Sequence, residues 1–512
     1  MTRTLPSPVA AGPDERFGPR LWGLLLVLAG NMLIDALEVS VAVVALPAIG
    51  TDLGAGPTVT QWAMTGFAAG FGGLLLFGAR VVTLLGRRRV YLAALLAFAA
   101  ASVLSALAQD PWLLLTTRLV KGFCAALTAP TGLAIITSTF PEGRPRSRAV
   151  SVYTLFGAGG FTAGLILSGW LTEASWRWAF AFPAPVVLVL FALGLRLIPG
   201  EASGAQKGRG AVLDMRLPPR GRDQPPRRRT MTTTAHRYDI PGALTLLATL
   251  LALVQGITQI PGHRWSDPRA VGPLCAAALL LVAFWQIEHR SADPLLRLGP
   301  SLRSNPALLR SAAGAACLNG SYLGLLFVLT YQTQTLADWS PLRAALALTP
   351  AAAPPALTAL ASGRLVARFG APRLIVAGAA CAFAGYLLQL RPDPWPLDYP
   401  GRMLPTLLLV GTGFVLSFAA LNMQAMSRLA PADRLTGSGL YQTAVQLAAV
   451  VTVALVAALL AAYAPATAPG PAAAAAACRP ALTLVAVLGF LGLLVGLTGL
   501  IRTPPSSLHD GE

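Results

Sequence analysis

The chain has 512 residues, of which 55% are hydrophobic and only 12% are charged, and its mean hydropathy is +0.63. Soluble globular domains carry about 25% charged residues, so this composition excludes that class and indicates an integral membrane protein. The formal net charge of +18 is compatible with nucleic-acid binding. However, the sequence contains no basic face interleaved with aromatic residues, and we expect no nucleic-acid partner.

Fourteen apolar segments are long enough to cross about 30 Å of hydrocarbon as α-helices. The first twenty residues contain prolines and acids but no apolar core, so they do not resemble a cleaved signal peptide. In chain order, the predicted helices lie at 22–46, 60–84, 90–108, 112–138, 149–171, 178–198, 240–260, 270–287, 310–334, 342–362, 372–390, 403–426, 437–462 and 480–501.

The distribution of basic residues predicts the topology. Most of the 39 lysines and arginines fall in loops on one side of the membrane when the N-terminus is placed inside. By the positive-inside rule, both termini are then cytoplasmic. Arginine greatly outnumbers lysine, which is typical of a GC-rich bacterial genome, so we predict a multi-pass protein of the plasma membrane.

A segment without apolar periodicity divides the chain. It contains "PPRGRDQPPRRRT" and is predicted to be a linker. The predicted domains are a six-helix bundle at 1–199, a basic cytoplasmic linker at 200–238, two additional helices at 239–290, a second six-helix bundle at 291–505 and a cytoplasmic tail at 506–512.

The two six-helix blocks carry a similar motif between their second and third helices. "ARVVTLLGRRR" at 79–89 matches "GRLVARFGAPR" at 363–373 in its first arginine, its apolar pair, its glycine and its basic end. Parallel repeats of this kind occur in transporters whose substrate path lies between the two halves.

Five motifs occur in the order expected for a known family. "LEVSVAVVALPAI" holds an acid, Glu38, nine residues before Pro47, and "RLVKG" holds Arg118 and Gly122, with Lys121 where glutamine is usual. The others are "ARVVTLLGRRRV", "LTEASWRWAF" and "TYQTQTLADWSPLRAALALTP". The chain thereby resembles the major facilitator superfamily, and within it the fourteen-helix branch of drug:proton antiporters. This resemblance implies an all-α integral membrane protein with the major facilitator fold, two six-helix halves plus two additional helices.

Two positions depart from the family pattern. Thr83 stands where the loop between helices 2 and 3 usually has an acid, so the ion pair expected at the inner gate cannot form there. In helix 5, Leu165 replaces the proline of the antiporter signature after Gly164. The resemblance implies a gating loop that contains Thr83, Gly86, Arg87, Arg88 and Arg89.

Helices 5 and 10 carry further features. Gly160 and Gly164 lie four residues apart in helix 5, a spacing that permits close helix packing, with a gating role as the alternative. Pro350, Pro354 and Pro355 predict a kink in helix 10, which would either gate or simply bend the helix.

Four charges lie well inside predicted helices: Asp35 and Glu38 in helix 1, and Arg118 and Lys121 in helix 4. Each costs roughly 2.5–3.5 kcal/mol at a helix centre, so we expect them to face one another. At ~1.5 Å per residue, Glu38 shares a layer with both bases and Asp35 lies one turn deeper. With Asn31, the acids form one polar stripe. We predict that the four charges couple transport to protons; a static ion network is the alternative.

Polar side chains inside other helices are tolerated where they face a bundle interior or a wet cavity. Hydrogen bonds between helices are the alternative role for each of them. We predict a substrate path that includes Asn31, Tyr331, Gln332, Gln334, Asn422, Gln424, Tyr441, Gln442 and Gln446.

These features predict efflux of a small, moderately hydrophobic drug or secondary metabolite by alternating access, driven by the proton gradient. The leucine at 165 keeps a symporter or uniporter of a small metabolite open, and a transport-inactive membrane sensor is a third alternative. No nucleophile, nucleotide or metal motif is present, so we expect neither enzyme activity nor a cofactor or metal. The expected partners are the small-molecule substrate, protons and the lipid bilayer, and we expect a monomer.

Overall fold

The computed structural model describes residues 17–200, 239–262, 267–291, 294–295, 305–358, 361–391, 395–430, 433–463 and 470–501. The predicted linker at 200–238, apart from its first residue, and the predicted tail at 506–512 lie outside the described residues. The domain boundaries therefore stay predictions.

The described residues fold into α-helices joined by short connections. The first group comprises α1 Pro19–Asp52, α2 Pro57–Leu85, α3 Arg87–Ala106, α4 Pro111–Thr139, α5 Arg144–Ala174, α6 Trp176–Ala181 and α7 Pro183–Leu197. Two helices follow, α8 Ile240–Gln259 and α9 Pro268–Arg290. The last group comprises α10 Pro306–Thr330, α11 Pro341–Thr358, α12 Ser362–Phe369, α13 Ala371–Gln389, α14 Leu404–Met426, α15 Arg434–Ala462, α16 Pro471–Ala477 and α17 Arg479–Ile501.

Thirteen spans in the described part of the chain are long and apolar enough to cross a membrane, and α11 with α12 makes a fourteenth if the pair is one span. The all-α membrane fold class is confirmed. The predicted helix at 342–362 corresponds to α11, which contains all three prolines and ends at Thr358, and α12 follows at an angle of 77° to it. Proline removes a backbone donor and clashes with the preceding turn, so three prolines in nine residues leave the helix end poorly supported.

Several helices begin earlier than predicted because a polar cap followed by proline starts them. The Asp110 carboxylate accepts hydrogen bonds from two amides of the first turn of α4, at 2.9 and 3.0 Å. Asn305 does the same at the start of α10, at 3.1 and 3.2 Å. Pro111 and Pro306 follow at the first helical position, where proline is favoured.

Helices α1 to α7 pack mainly with one another, and so do α10 to α17. The two halves meet along a seam where α2 packs on α15, α5 on α11 and α1 on α10. Helix α8 contacts both α2 and α15, and α9 packs on α8, so the additional helices cover one side of the seam. We call the end of the bundle at which α1 begins the inner end, because the sequence predicts it to be cytoplasmic, and the opposite end the outer end.

The two repeated loop motifs have the same backbone conformation. Gly86 separates α2 from α3 with φ +90° and ψ +141°, and Gly370 separates α12 from α13 with φ +79° and ψ +143°. Side chains with a Cβ rarely adopt this positive φ, so glycine permits the sharp turn in both halves. The repeat seen in the sequence is therefore also a structural repeat.

Candidate transport site

The centre of the first half contains a fully buried ion cluster. Glu38 of α1 lies between Arg118 and Lys121 of α4, and none of the three side chains is exposed. One guanidinium nitrogen of Arg118 donates to Glu38 Oε2, and another donates to the Glu38 carbonyl oxygen at 2.9 Å. Arg118 Nε donates to the carbonyl of Ala63 at 2.6 Å, and Lys121 Nζ is 2.5 Å from Glu38 Oε1. Both carboxylate oxygens of Glu38 are thus held by bases.

Three aromatic rings surround the two bases. The Arg118 guanidinium carbon lies 5.0 Å from the ring centroid of Phe67 and 5.4 Å from that of Phe180. Lys121 Nζ lies 5.0 Å from the centroid of Phe98 and 5.7 Å from that of Phe180. Cation–π attraction at these distances partly replaces lost hydration, because the positive groups face the electron-rich ring surfaces. Sequence analysis missed these rings, since an aromatic residue in an apolar helix carries no positional signal.

Asp35 lies one turn from Glu38 toward the inner end and has a different environment. Its Oδ2 accepts hydrogen bonds from Asn31 Nδ2 at 3.0 Å and from Thr128 Oγ1 at 3.2 Å. Both partners are neutral, and the ion pairs of the two bases go to Glu38. Thr128 was missed, although it lies two turns after Lys121 on the same face of α4, a spacing that could have identified it.

The ion cluster stabilises the fold only as a unit. A buried charge whose partner is removed costs about 3–5 kcal/mol, whereas a complete and well-bonded pair is close to neutral. Glu38 carries one negative charge against two positive charges, so the cluster has a net positive charge if all three groups are ionised. Asp35, one turn away, is the nearest acid on the same helix face that can offset it.

The predicted substrate-path residues at the end of α10 lie near the outer end of the seam. Tyr331, Gln332 and Gln334 belong to a short π-helical segment, Tyr331–Leu336. Gln334 Nε2 donates to the Val44 carbonyl of α1 at 3.0 Å, which is a direct bond between the halves.

The other predicted path residues lie on α14 and α15. Asn422 is exposed, and Gln424 accepts a hydrogen bond of 3.2 Å from a serine hydroxyl of α10. Tyr441 is buried in an apolar cluster of the second half, whereas Gln442 and Gln446 are half-buried. The path residues therefore occupy separate places: Asn31 of α1 binds Asp35 within the first half, and the others lie along the seam and in the second half. Their role in substrate binding stays a prediction.

The predicted gating loop surrounds Gly86 at the inner end. Thr83 is exposed, and its hydroxyl donates to the carbonyl of Arg80 at 2.7 Å, within its own helix. Arg88 donates to the Leu195 carbonyl at the end of α7, at 2.6 Å, whereas Arg87 and Arg89 are exposed. Arg88 thus ties the loop to its own half, whereas Arg80, in the same motif, donates to the Pro294 carbonyl beyond the additional helices.

Gly160 and Gly164 lie where α5 crosses α1. An added Cβ at Gly160 would lie 2.5 Å from the Leu33 carbonyl oxygen, and one at Gly164 would lie 2.9 Å from Leu37 Cα. The two glycines therefore allow the two backbones to approach closely.

Direct contacts close the outer part of the seam between α5 and α11. The Leu342 amide of α11 donates to Glu173 Oε1 of α5 at 3.0 Å. Closer to the middle of the bundle, Thr162 Oγ1 donates to the Ala352 carbonyl at 2.9 Å. An added Cβ at Gly159, further toward the inner end of α5, would meet no described atom within 4 Å.

Aromatic side chains form a row across the middle of the seam. The rings of Phe161 of α5 and Tyr322 of α10 have centroids 5.9 Å apart. Tyr322 is 4.9 Å from Phe414 of α14, which stacks on Phe418 at 4.9 Å with an interplanar angle of 14°. The row joins the halves and was not predicted. In the part of the chain that the structure describes, no group of three His, Cys, Asp or Glu residues could hold a metal ion.

Comparison with protein families gives a match to the Major Facilitator Superfamily over residues 28–453. The chain belongs to this superfamily. It is therefore a member of a transporter family rather than of an enzyme class, and the family resemblance of its five motifs is confirmed. A chain of this family with so many apolar helices is a multi-pass membrane protein.

Curated relatives include resistance and export proteins. A puromycin resistance protein of Streptomyces alboniger is 33% identical over 456 residues, covering 88% of this chain and 83% of the relative. A cephamycin export protein of Amycolatopsis lactamdurans is 30% identical over 441 residues, covering 84% and 83%. Among solved structures, the Escherichia coli xylose transporter XylE in an inward-open conformation matches with a TM-score of 0.59 at 14% identity, covering 95% and 97% of the two chains. This likeness confirms the major facilitator fold.

Proposed function

We propose that the protein exports a small, moderately hydrophobic drug or secondary metabolite across the plasma membrane, in exchange for protons, by alternating access. Coupling of transport to protons is supported by the unequal environments of two neighbouring buried acids. Glu38 is held by two bases, whereas Asp35 has only neutral partners. Membership of the transporter superfamily and similarity to resistance and export proteins support the export of a drug-like molecule.

Asp35 suits the role of proton carrier because no ion pair has to break when it takes a proton. The hydroxyl of Thr128 can donate to the carboxylate or accept from the carboxylic acid, so it serves both states. Glu38 keeps the two bases paired throughout the cycle. This assignment divides the four charged residues into one carrier, Asp35, and a cluster of three, Glu38, Arg118 and Lys121, that stays paired.

The seam suits the role of substrate path. Its outer part is held by bonds between α5 and α11, while the aromatic row between the halves offers flat apolar surface to a moderately hydrophobic ligand. In this proposal the substrate enters from the inner, cytoplasmic end, and both termini lie on that side. The protein acts as a monomer, because each chain contains both halves of the path.

The test is transport of puromycin by the purified full-length protein in proteoliposomes with an imposed pH gradient. Puromycin is chosen because of the resistance relative. We expect wild-type protein to move puromycin against its gradient when protons flow the other way, and Asp35→Asn to lose this dependence on the pH gradient. Asp110→Asn is the matched control, since it makes the same change at a helix cap that asparagine also satisfies.

Three results would contradict the proposal. Asp35→Asn protein with wild-type dependence on the pH gradient would remove Asp35 as the carrier. Wild-type transport that is indifferent to the gradient would favour a uniporter, and accumulation in the direction of proton flow would favour a symporter. Both alternatives are consistent with a helix α5 that has a buried leucine, Leu165, where the antiporter signature has proline.

A further inference from the structure

In the described part of the first half, five buried side-chain oxygens have no hydrogen-bond partner, including Glu38 Oε1, which is ion-paired with Lys121, and Thr172 Oγ1 of α5. The other three are Asp35 Oδ1, Tyr91 Oη and Thr131 Oγ1. The exposed fractions of the three residues are 6%, 0% and 1%. Buried hydroxyls and carboxylates are nearly always hydrogen-bonded, to protein or to internal water.

The three oxygens, which we call the column, belong to α1, α3 and α4, and α4 packs on both of the other helices. Thr131 follows Thr128 by three residues on α4, and Thr128 binds Asp35. Helix α4 runs toward the inner end, so Thr131 lies on the inner side of Asp35, at the level of Asn31 on α1. Tyr91 lies near the inner end of α3, which packs on α4.

Other titratable groups border the column without closing it. The Tyr153 hydroxyl of α5 donates to the Ala129 carbonyl of α4 at 2.9 Å, and the carbonyl of Cys124 accepts a hydrogen bond of 3.1 Å from Thr128, the residue that binds Asp35. Glu38 interacts with Asp35 along α1, while Lys121 and Arg118 on α4 form their ion pairs with Glu38. The groups on the inner side of Asp35 that could take up a proton are therefore neutral hydroxyls.

Hydroxyl and carboxyl oxygens arranged in this way provide what a buried water requires. Internal waters occupy polar sites and make two to four hydrogen bonds to groups that otherwise lack partners. The column offers Asp35 Oδ1, Thr131 Oγ1 and Tyr91 Oη, with the amide of Asn31 beside them. It lies within the first half, among α1, α3 and α4, and not in the seam where the aromatic row crosses.

We propose that Tyr91 and Thr131 hold a short chain of water molecules that carries protons between Asp35 and the inner end, separately from the substrate path. The inference rests on the proposed function, in which Asp35 is the coupling acid. In the release step, the proton leaves Asp35 Oδ1 for the first water. Each following oxygen accepts one proton from its neighbour and donates its own to the next. The hydroxyls are thus unchanged, and one proton leaves at the inner end.

Aromatic side chains pack together at the inner end of the first half. Phe17 and Phe140, in the same apolar cluster as Tyr91 and Tyr153, have ring centroids 5.2 Å apart in an edge-to-face arrangement. The proton reaches the inner aqueous phase when this layer parts. Separation of the proton route from the seam allows Asp35 to exchange its proton while a bulky substrate occupies the path.

The experiment measures proton release when puromycin binds to detergent-purified full-length protein, by stopped-flow with a pH-indicator dye. We expect Tyr91→Phe and Thr131→Val to release the same amount of protons as wild type, because Asp35 is intact. We expect release to be about tenfold slower, which corresponds to about 1.4 kcal/mol of added barrier. Puromycin binding affinity should be unchanged, since neither residue lies in the seam.

Matched controls come from the second half. Thr443→Val removes another buried hydroxyl that has no partner among the described residues, and Tyr386→Phe removes a buried phenol that donates to Ser321 Oγ at 2.9 Å. Both should release protons at the wild-type rate. If Tyr91→Phe does not fold, the rate of proton release by Thr131→Val alone tests the water chain, because valine has nearly the same volume as threonine.

The outcomes distinguish failure of the water chain from failure of the proposed function. Asp35→Asn protein that still releases protons on binding puromycin would show that Asp35 is not the coupling acid, and the proposed function would fail. If Asp35→Asn abolishes release but Tyr91→Phe and Thr131→Val release protons at the wild-type rate, Asp35 stays the carrier and the water chain is overturned. Slower release in both variants, with unchanged amplitude, supports it.

Discussion

Two carboxylates one turn apart on α1 have opposite surroundings because of what α4 places beside them. Glu38 meets Arg118 and Lys121, while Asp35 meets the hydroxyl of Thr128, two turns further along α4. The spacing of two bases and then a hydroxyl on one face of α4 decides which acid is paired. Lys121 is the decisive residue, since it stands where the family resemblance expects glutamine and adds a second base to Glu38.

At the residue scale, we predict that Glu38→Gln destabilises the protein far more than Asp35→Asn. Removing the only acid between Arg118 and Lys121 leaves two buried bases without a charged partner, at a cost of about 3–5 kcal/mol. Thermal unfolding of the purified protein in detergent measures this. Glu142→Gln is the control, because Glu142 forms an exposed ion pair with Arg146 whose loss costs at most about 1 kcal/mol.

The same cluster offers a compensating change. Lys121→Gln in the Glu38→Gln background removes one of the two unpaired bases, so it should recover part of the lost thermal stability. An equal loss of stability in the single and double variants would show that Lys121 is not held by Glu38. A single Glu38→Gln variant as stable as Glu142→Gln would contradict the ion cluster itself.

At the scale of helices, the sequence predicts most of the spans, because a run of apolar residues long enough for the membrane is itself the signal. It predicts their ends less well: Asp110 and Asn305 extend α4 and α10 by caps that hydropathy does not register. It places Glu38 at the depth of Arg118 because depth follows from residue count. It cannot find Phe67, since which face of a helix a ring occupies depends on packing between helices.

Packing of α1 on α5 depends on glycine at particular positions, so we predict that Gly160→Ala is destabilising and Gly159→Ala is not. An added Cβ at Gly160 would lie 2.5 Å from the Leu33 carbonyl oxygen and 3.1 Å from Ala36 Cβ, so α5 has to move away from α1. Overpacking of this kind costs about 1–3 kcal/mol. At Gly159 the new methyl group meets open space, and alanine is the better helix former.

Thermal midpoints and transport rates of the two variants give the comparison. Because the substitutions are identical and adjacent in the same helix, any effect of helix propensity acts equally on both. If Gly159→Ala and Gly160→Ala lower the midpoint by the same amount, the close approach of α1 and α5 does not govern stability, and the glycine spacing has no packing role.

At the scale of the whole molecule, the two halves touch through few helices, and the additional pair lies beside one of these contacts. Helix α8 packs on both α2 and α15, so it covers that side of the seam. On the opposite side, α5 and α11 meet toward the outer end. In a major facilitator transporter, rocking of the halves about a central site opens one end as the other closes. The contacts between α5 and α11 must therefore break once in each cycle.

We predict that a disulfide between α5 and α11 stops transport. An added Cβ at Gly169 would lie 2.6 Å from Ala345 Cβ, well below the ~3.8 Å typical of a disulfide, so the two helices have to move slightly apart to form the bond. A second pair, Thr162 and Ala352, is joined by a hydrogen bond of 2.9 Å and avoids crowding at the glycine.

Each cysteine pair is introduced after the five native cysteines are replaced, and puromycin uptake is measured in proteoliposomes. The oxidised double variants should be inactive and should recover on reduction. Puromycin uptake by the single variants should not change on oxidation. Because the outer end stays closed, puromycin should still bind from the inner end of the oxidised protein. Transport at the wild-type rate by a fully cross-linked pair would mean that α5 and α11 do not separate, and the halves would have to open along another line.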